Sequence, residues 1–101
     1  MDARQTREFV HARDVANVLK LVLEKKGLNG ELFNCGSGSP TSILDLAHKA
    51  IAVSRLPLKP EFTAPRLGDI KESLSNNAKV RGVLGFKTRI SLEEGLAELM
   101  R

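Results

Sequence analysis

A chain of 101 residues that is 42% hydrophobic makes one small domain, with apolar residues enough for a core but too few residues to hide all of them from water. The net charge of +4 comes from Lys and Arg scattered from Arg4 to Arg101, with no Trp, no Tyr and only four Phe, which argues against a stacking platform for nucleic acid. No apolar run reaches membrane-spanning length and no signal peptide opens the chain. The single cysteine, Cys35, excludes an internal disulfide and, with only two His, argues against a Cys/His zinc site, so a reducing, cytoplasmic setting is expected.

Residues 5–10 alternate loosely and hold Thr6, Phe9 and Val10, which predicts a short strand. A helix follows from His11, with Asp14 in its first turn and Val15, Val18, Leu19 and Val22 on one stripe, ending by Gly27. After the Asn29-Gly30 turn, residues 31–35 (Glu31-Leu32-Phe33-Asn34-Cys35) read as a second strand, and Gly36-Ser37-Gly38-Ser39-Pro40 as a loop. Ser42 and Asp45 suggest a capping box with Asp in place of Glu, opening a second helix that buries Leu46, Ala47, Ala50 and Ile51. Pro57 and Pro60 break the chain, and Phe62 and Thr63 are extended. A third, weaker helix runs through Ala78, Val80, Val83 and Leu84 with Gly85 as its stop. A last helix opens on the box Ser91-Leu92-Glu93-Glu94, with Leu92, Leu96 and Leu99 on one face.

Between the second and third helices lies Ala64-Pro65-Arg66-Leu67-Gly68-Asp69-Ile70. Pro65 fixes its own φ, Gly68 permits a turn, and Arg66 and Asp69 are thereby held on a constrained loop, where binding residues often sit. A guanidinium fork there suits a phosphate and a carboxylate suits a hydroxyl donor, whereas the simpler reading is a surface turn with a local Arg66–Asp69 pair.

Four blocks in one order carry a family resemblance. They are Gln5-Thr6-Arg7-Glu8-Phe9-Val10-His11 with Asp14-Val15-Ala16; Gly30 through Gly38; Pro65-Arg66-Leu67-Gly68-Asp69-Ile70; and Leu84-Gly85-Phe86 with Ser91-Leu92-Glu93-Glu94-Gly95-Leu96. Together they resemble the C-terminal, substrate-binding part of the NAD-dependent nucleotide-sugar epimerases and dehydratases, the extended short-chain dehydrogenase/reductases, of the UDP-glucose 4-epimerase kind. The family usually has Asp where Glu8 stands and an Ala-Asp pair near Ser75-Asn76. The resemblance implies an α/β fold, a small domain of about four helices and two or three short strands over residues 1–101, with the N-terminal Rossmann NAD-binding domain absent. It implies that Arg7 and Arg66 contact the substrate pyrophosphate and that Asp69 lies on the ribose and substrate side. It also implies that Ile43 packs near the nucleobase and that Phe9 stands beside the substrate.

The family's Gly-rich dinucleotide fingerprint is missing, since Gly36-Ser37-Gly38 has no third glycine at the right offset, and without tyrosine the family's catalytic Tyr cannot be present. No cofactor is therefore expected in this chain, although the resembled enzymes carry NAD, and enzyme status stays open. The expected partners are a nucleoside-diphosphate sugar held weakly, a second copy of the chain, and a Rossmann domain outside it. The rival readings are a non-enzymatic interaction or oligomerisation module and a basic nucleic-acid-binding protein. Each residue also has a simpler role: Phe9 and Ile43 as core, His11 at a helix start, His48 in solvent, Cys35 as an inert buried thiol, and Glu93, Glu94 and Glu98 as a solvated helix face.

Overall fold

A computed structural model describes residues 3–64 and 68–100. Among them are four helices and two short strands, a small α/β unit, in the order β1 (Thr6–Arg7), α1 (Ala12–Glu24), β2 (Thr41–Ser42), α2 (Ile43–Ser54), α3 (Ala78–Leu84) and α4 (Leu92–Leu99).

The helix boundaries follow local chemistry. His11 caps α1, its Nδ1 accepting the Arg13 N–H at 2.9 Å. Ser42 Oγ takes the Asp45 N–H at 3.0 Å at the head of α2, one half of a box that the shorter Asp side chain does not complete. At α4 both halves form: Ser91 Oγ accepts from Glu94 N–H and Glu94 accepts from Ser91 N–H. Gly85 ends α3 at φ +66°, a left-handed position that costs glycine nothing.

β1 is the hub of the fold. It pairs antiparallel with β2 in the register Thr6↔Ser42 and Arg7↔Thr41, and on its other side Thr6 bridges to Glu72. The Thr6 N–H donates to Lys71 O at 2.7 Å and the Ser73 N–H to Thr6 O at 3.1 Å. The first N–H groups of α2 are likewise satisfied from this side, Ile43 by Gln5 O and Leu44 by Ala3 O.

The core is thin. Val18 of α1 packs with Val80 and Leu84 of α3 and with Phe86, which is 1% exposed, while Leu21, Val22, Leu28, Phe33 and Cys35 surround them half-buried. α2 packs on α4 through half-buried residues, including the expected Leu46, Ala47, Ala50 and Ile51. The predicted α1 stripe is split. Val18 and Val22 pack in the core, but Val15 and Leu19 are exposed, as is Leu23 outside the stripe at 87%.

The strand expected at residues 31–35 does not form: the second strand is β2 instead. A strand exists only through a neighbour's hydrogen bonds, and the described residues offer this stretch none. Leu32 is 81% exposed, and the segment is held from one side by Lys79 of α3, which pairs with Glu31 at 2.6 Å and sits 5.1 Å above the Phe33 ring. The molecule is correspondingly flat, 51 × 34 × 16 Å, and its radius of gyration is 16.4 Å. A compact domain of this length has a radius of about 13 Å.

Candidate functional site

Three of the residues singled out in the sequence lie in β1 or within two residues of a segment bonded to it. Arg7 lies in β1 itself, its Nη1 donating to Thr6 O at 2.7 Å. Ile43 is the first residue of α2, directly after the strand that pairs with Arg7, and is half-buried. Asp69 is exposed and stands two residues before Lys71, whose carbonyl is bound to β1, so the end of the 64–70 loop is stitched beside Arg7. Arg66 lies outside the described residues, and its predicted convergence with Arg7 is a proposal taken up below.

Phe9 goes elsewhere. It lines a half-open cavity of about 430 Å³ with Val10, Leu46, Ile90, Leu92 and Leu96, among others. Arg7, Ile43 and Asp69 are not part of that lining. The cavity's polar edge is His11 and Glu98, 3.0 Å apart. Because His11 Nδ1 already accepts the Arg13 N–H, Nε2 is the ring nitrogen that donates to Glu98.

The acidic face expected to be merely solvated is engaged. Glu98 pairs with His11 and Arg13, Glu93 pairs with Lys49, and Glu94 closes the α4 cap. The reason is that the head of α1 and the side of α2 both come against α4, placing opposite charges within reach. Cys35 is half-buried rather than fully buried. Burial pushes its thiol pKa up, and the nearby Asp14 and Glu8 carboxylates add to the rise, which favours the protonated thiol.

Two carboxylates that the sequence marks only as a helix-start acid and a family departure, Asp14 and Glu8, make long-range backbone contacts here. Asp14, 2% exposed, receives the N–H of Arg89 on Oδ1 at 3.1 Å and that of Ile90 on Oδ2 at 3.2 Å. Glu8, next to Arg7, receives the Gly38 N–H on Oε2 at 3.0 Å and the Ser75 N–H on Oε1 at 2.7 Å. Glu8 follows β1 directly and is half-buried, as Arg7 is. Among the described residues no cluster of His, Cys, Asp and Glu has the makings of a metal site, and no helix is long and apolar enough to cross a membrane.

Residues 1–36 match the family described as the NAD dependent epimerase/dehydratase family. The UDP-glucose 4-epimerase of Mycolicibacterium smegmatis is 39% identical over 96% of this chain and 31% of its own length. The crystal structure of the UDP-glucose 4-epimerase of Thermotoga maritima with UDP-glucose superposes with a TM-score of 0.86 at 31% identity, over 96% of this chain and 31% of that one. The UDP-glucuronic acid 4-epimerase of Bacillus cereus, solved with UDP-glucuronic acid and NAD, gives a TM-score of 0.82 at 28% identity, over 94% of this chain and 31% of that one. The class of proteins that the chain resembles in sequence and fold is therefore that of the nucleotide-sugar epimerases and dehydratases with the short-chain dehydrogenase/reductase fold. Within that class the chain is UDP-glucose 4-epimerase-like, and it spans about a third of the length of the relatives it matches.

Proposed function

We propose that this chain is the substrate-side segment of a nucleotide-sugar epimerase or dehydratase, a single unit over residues 1–101 that binds a nucleoside-diphosphate sugar and does not catalyse alone. The likeness to a UDP-glucose 4-epimerase over 96% of the chain carries this reading. In it, Arg7 and Arg66 grip the pyrophosphate, since two forked cations suit two adjacent phosphates. Asp69 faces the ribose and sugar hydroxyls, and Ile43 presents an apolar surface to the base.

Phe9 contributes through its cavity wall. The residues here do not fit a dinucleotide: the Gly38 N–H of the Gly36-Ser37-Gly38 turn already serves the Glu8 carboxylate, which would repel a pyrophosphate. NAD belongs, in this reading, to a Rossmann partner outside the chain.

Ligand-observed NMR tests the reading directly. UDP should give a saturable signal with a dissociation constant near millimolar, roughly −4 kcal/mol, because other substrate contacts come from outside the chain. NAD should give none, and a duplex oligonucleotide should bind no better than its charge dictates, with a steep loss in salt. Absence of any UDP signal at ten-millimolar ligand, or saturable micromolar NAD binding, would overturn it.

A further inference from the structure

Glu8 joins three stretches that are distant in sequence: β1, the 36–38 turn and the approach to α3. Each oxygen of its carboxylate takes one backbone N–H, from Gly38 at 3.0 Å and from Ser75 at 2.7 Å. The turn is cut to receive it. A Cβ on Gly36 would fall 2.5 Å from Glu8 Oε2 and 2.4 Å from Ser75 Oγ, so only a bare Cα lets the carboxylate in. Asn77 Nδ2 closes the turn from the other side, donating to Gly36 O at 3.4 Å, and Gly38 holds φ +74°. No Lys or Arg among the described residues forms an ion pair with Glu8, so backbone N–H dipoles hold its charge, as they hold an anion in a nest of donors.

We propose that Glu8 is a positioning residue, an internal anion that fills the donors of the 36–38 turn and Ser75 and so fixes β1, and Arg7 with it, for the nucleotide-sugar site. The last clause rests on the reading of Arg7 given above. The same occupancy closes the Gly-x-Gly turn to an external phosphate and leaves phosphate binding to arginine side chains. Burial by itself would raise the Glu8 pKa. The Ser75 hydroxyl and the N–H groups of Gly38 and Ser75 outweigh it, and the net pKa is lowered. The Ser75 Oγ is shielded from water and lacks a well-aligned partner, so the grip rests on the two backbone donors, whose geometry is sound. A carboxylate with a lowered native pKa stabilises the fold above its unfolded value, and that contribution fades as pH falls through the native one.

The test follows the Gly38 and Ser75 amides by ¹⁵N–¹H NMR against pH in the parent, Glu8→Gln, Glu8→Asp and Glu8→Ala, and measures UDP binding beside them. In the parent both amides should move together with one midpoint below the ordinary glutamate value. Glu8→Gln should abolish that titration and weaken UDP about tenfold. Glu8→Asp should keep the titration, and formate added to Glu8→Ala should draw both amide shifts back toward the parent's. If Glu8→Gln leaves both amides and UDP affinity as in the parent, or formate moves neither amide in Glu8→Ala, the proposal is wrong. The two readings separate cleanly: a parent whose amides titrate but which ignores UDP keeps the clamp and removes the site assigned to Arg7.

Discussion

Asp14 illustrates how a residue can be placed correctly and still be underestimated. Its position in the first turn of α1 predicts a favourable meeting with the helix dipole. Its actual work is long-range, since it accepts the N–H groups of Arg89 and Ile90. Replacing it by Ala removes the acceptor of two part-buried N–H groups, and we expect a loss of about 1–3 kcal/mol in chemical denaturation. Asp14→Asn, which retains one acceptor oxygen, should lose roughly half as much. Equal stability of Asp14→Ala and the parent would mean that water replaces the carboxylate at no cost. The contacts of Glu8 were not legible for the same physical reason: a sequence shows which oxygens are available but not which distant N–H groups lack a partner. β1 was legible as an extended stretch because Thr6, Phe9 and Val10 mark residues 5–10, whereas the neighbours it pairs with, β2 and Glu72, carry no local signal.

At the scale of elements, all four helices could be read from caps and apolar spacing, since those signals are local. Ser91 and Ser42 differ instructively. Ser91 works in a complete box and Ser42 in half of one, so Ser91→Ala should cost about 1 kcal/mol and Ser42→Ala somewhat less, read as midpoint shifts in urea. The reverse order would show that the Glu94 half adds nothing to α4. The strand at residues 31–35 was misread because β-propensity measures how a stretch would fit a sheet, not whether a sheet is there. The split stripe of α1 has the same origin: Val15 and Leu19 satisfy a helical pattern whose second partner is missing among the described residues.

For the whole molecule, the exposed side chains and the flat shape belong together. A radius of gyration of 16.4 Å and an apolar surface including Leu19, Leu23 and Leu32 describe a body with one side uncovered. Self-association is the expected consequence, and sedimentation at micromolar protein should show a dimer or larger. Leu23→Glu should leave stability within about 0.5 kcal/mol, because the side chain is solvated, while shifting the distribution toward monomer. A parent that sediments as a monomer up to millimolar concentration would show that these exposed side chains do not drive association. The central proposal, that Arg7 and Arg66 bind a pyrophosphate, is tested most directly by measuring UDP binding to the parent, Arg7→Ala, Arg66→Ala and, as a control on the solvated face of α1, Lys20→Ala. Each arginine variant should lose on the order of 1–3 kcal/mol, enough to erase a millimolar signal, and Lys20→Ala should match the parent. Equal UDP signals from all four proteins would contradict the account.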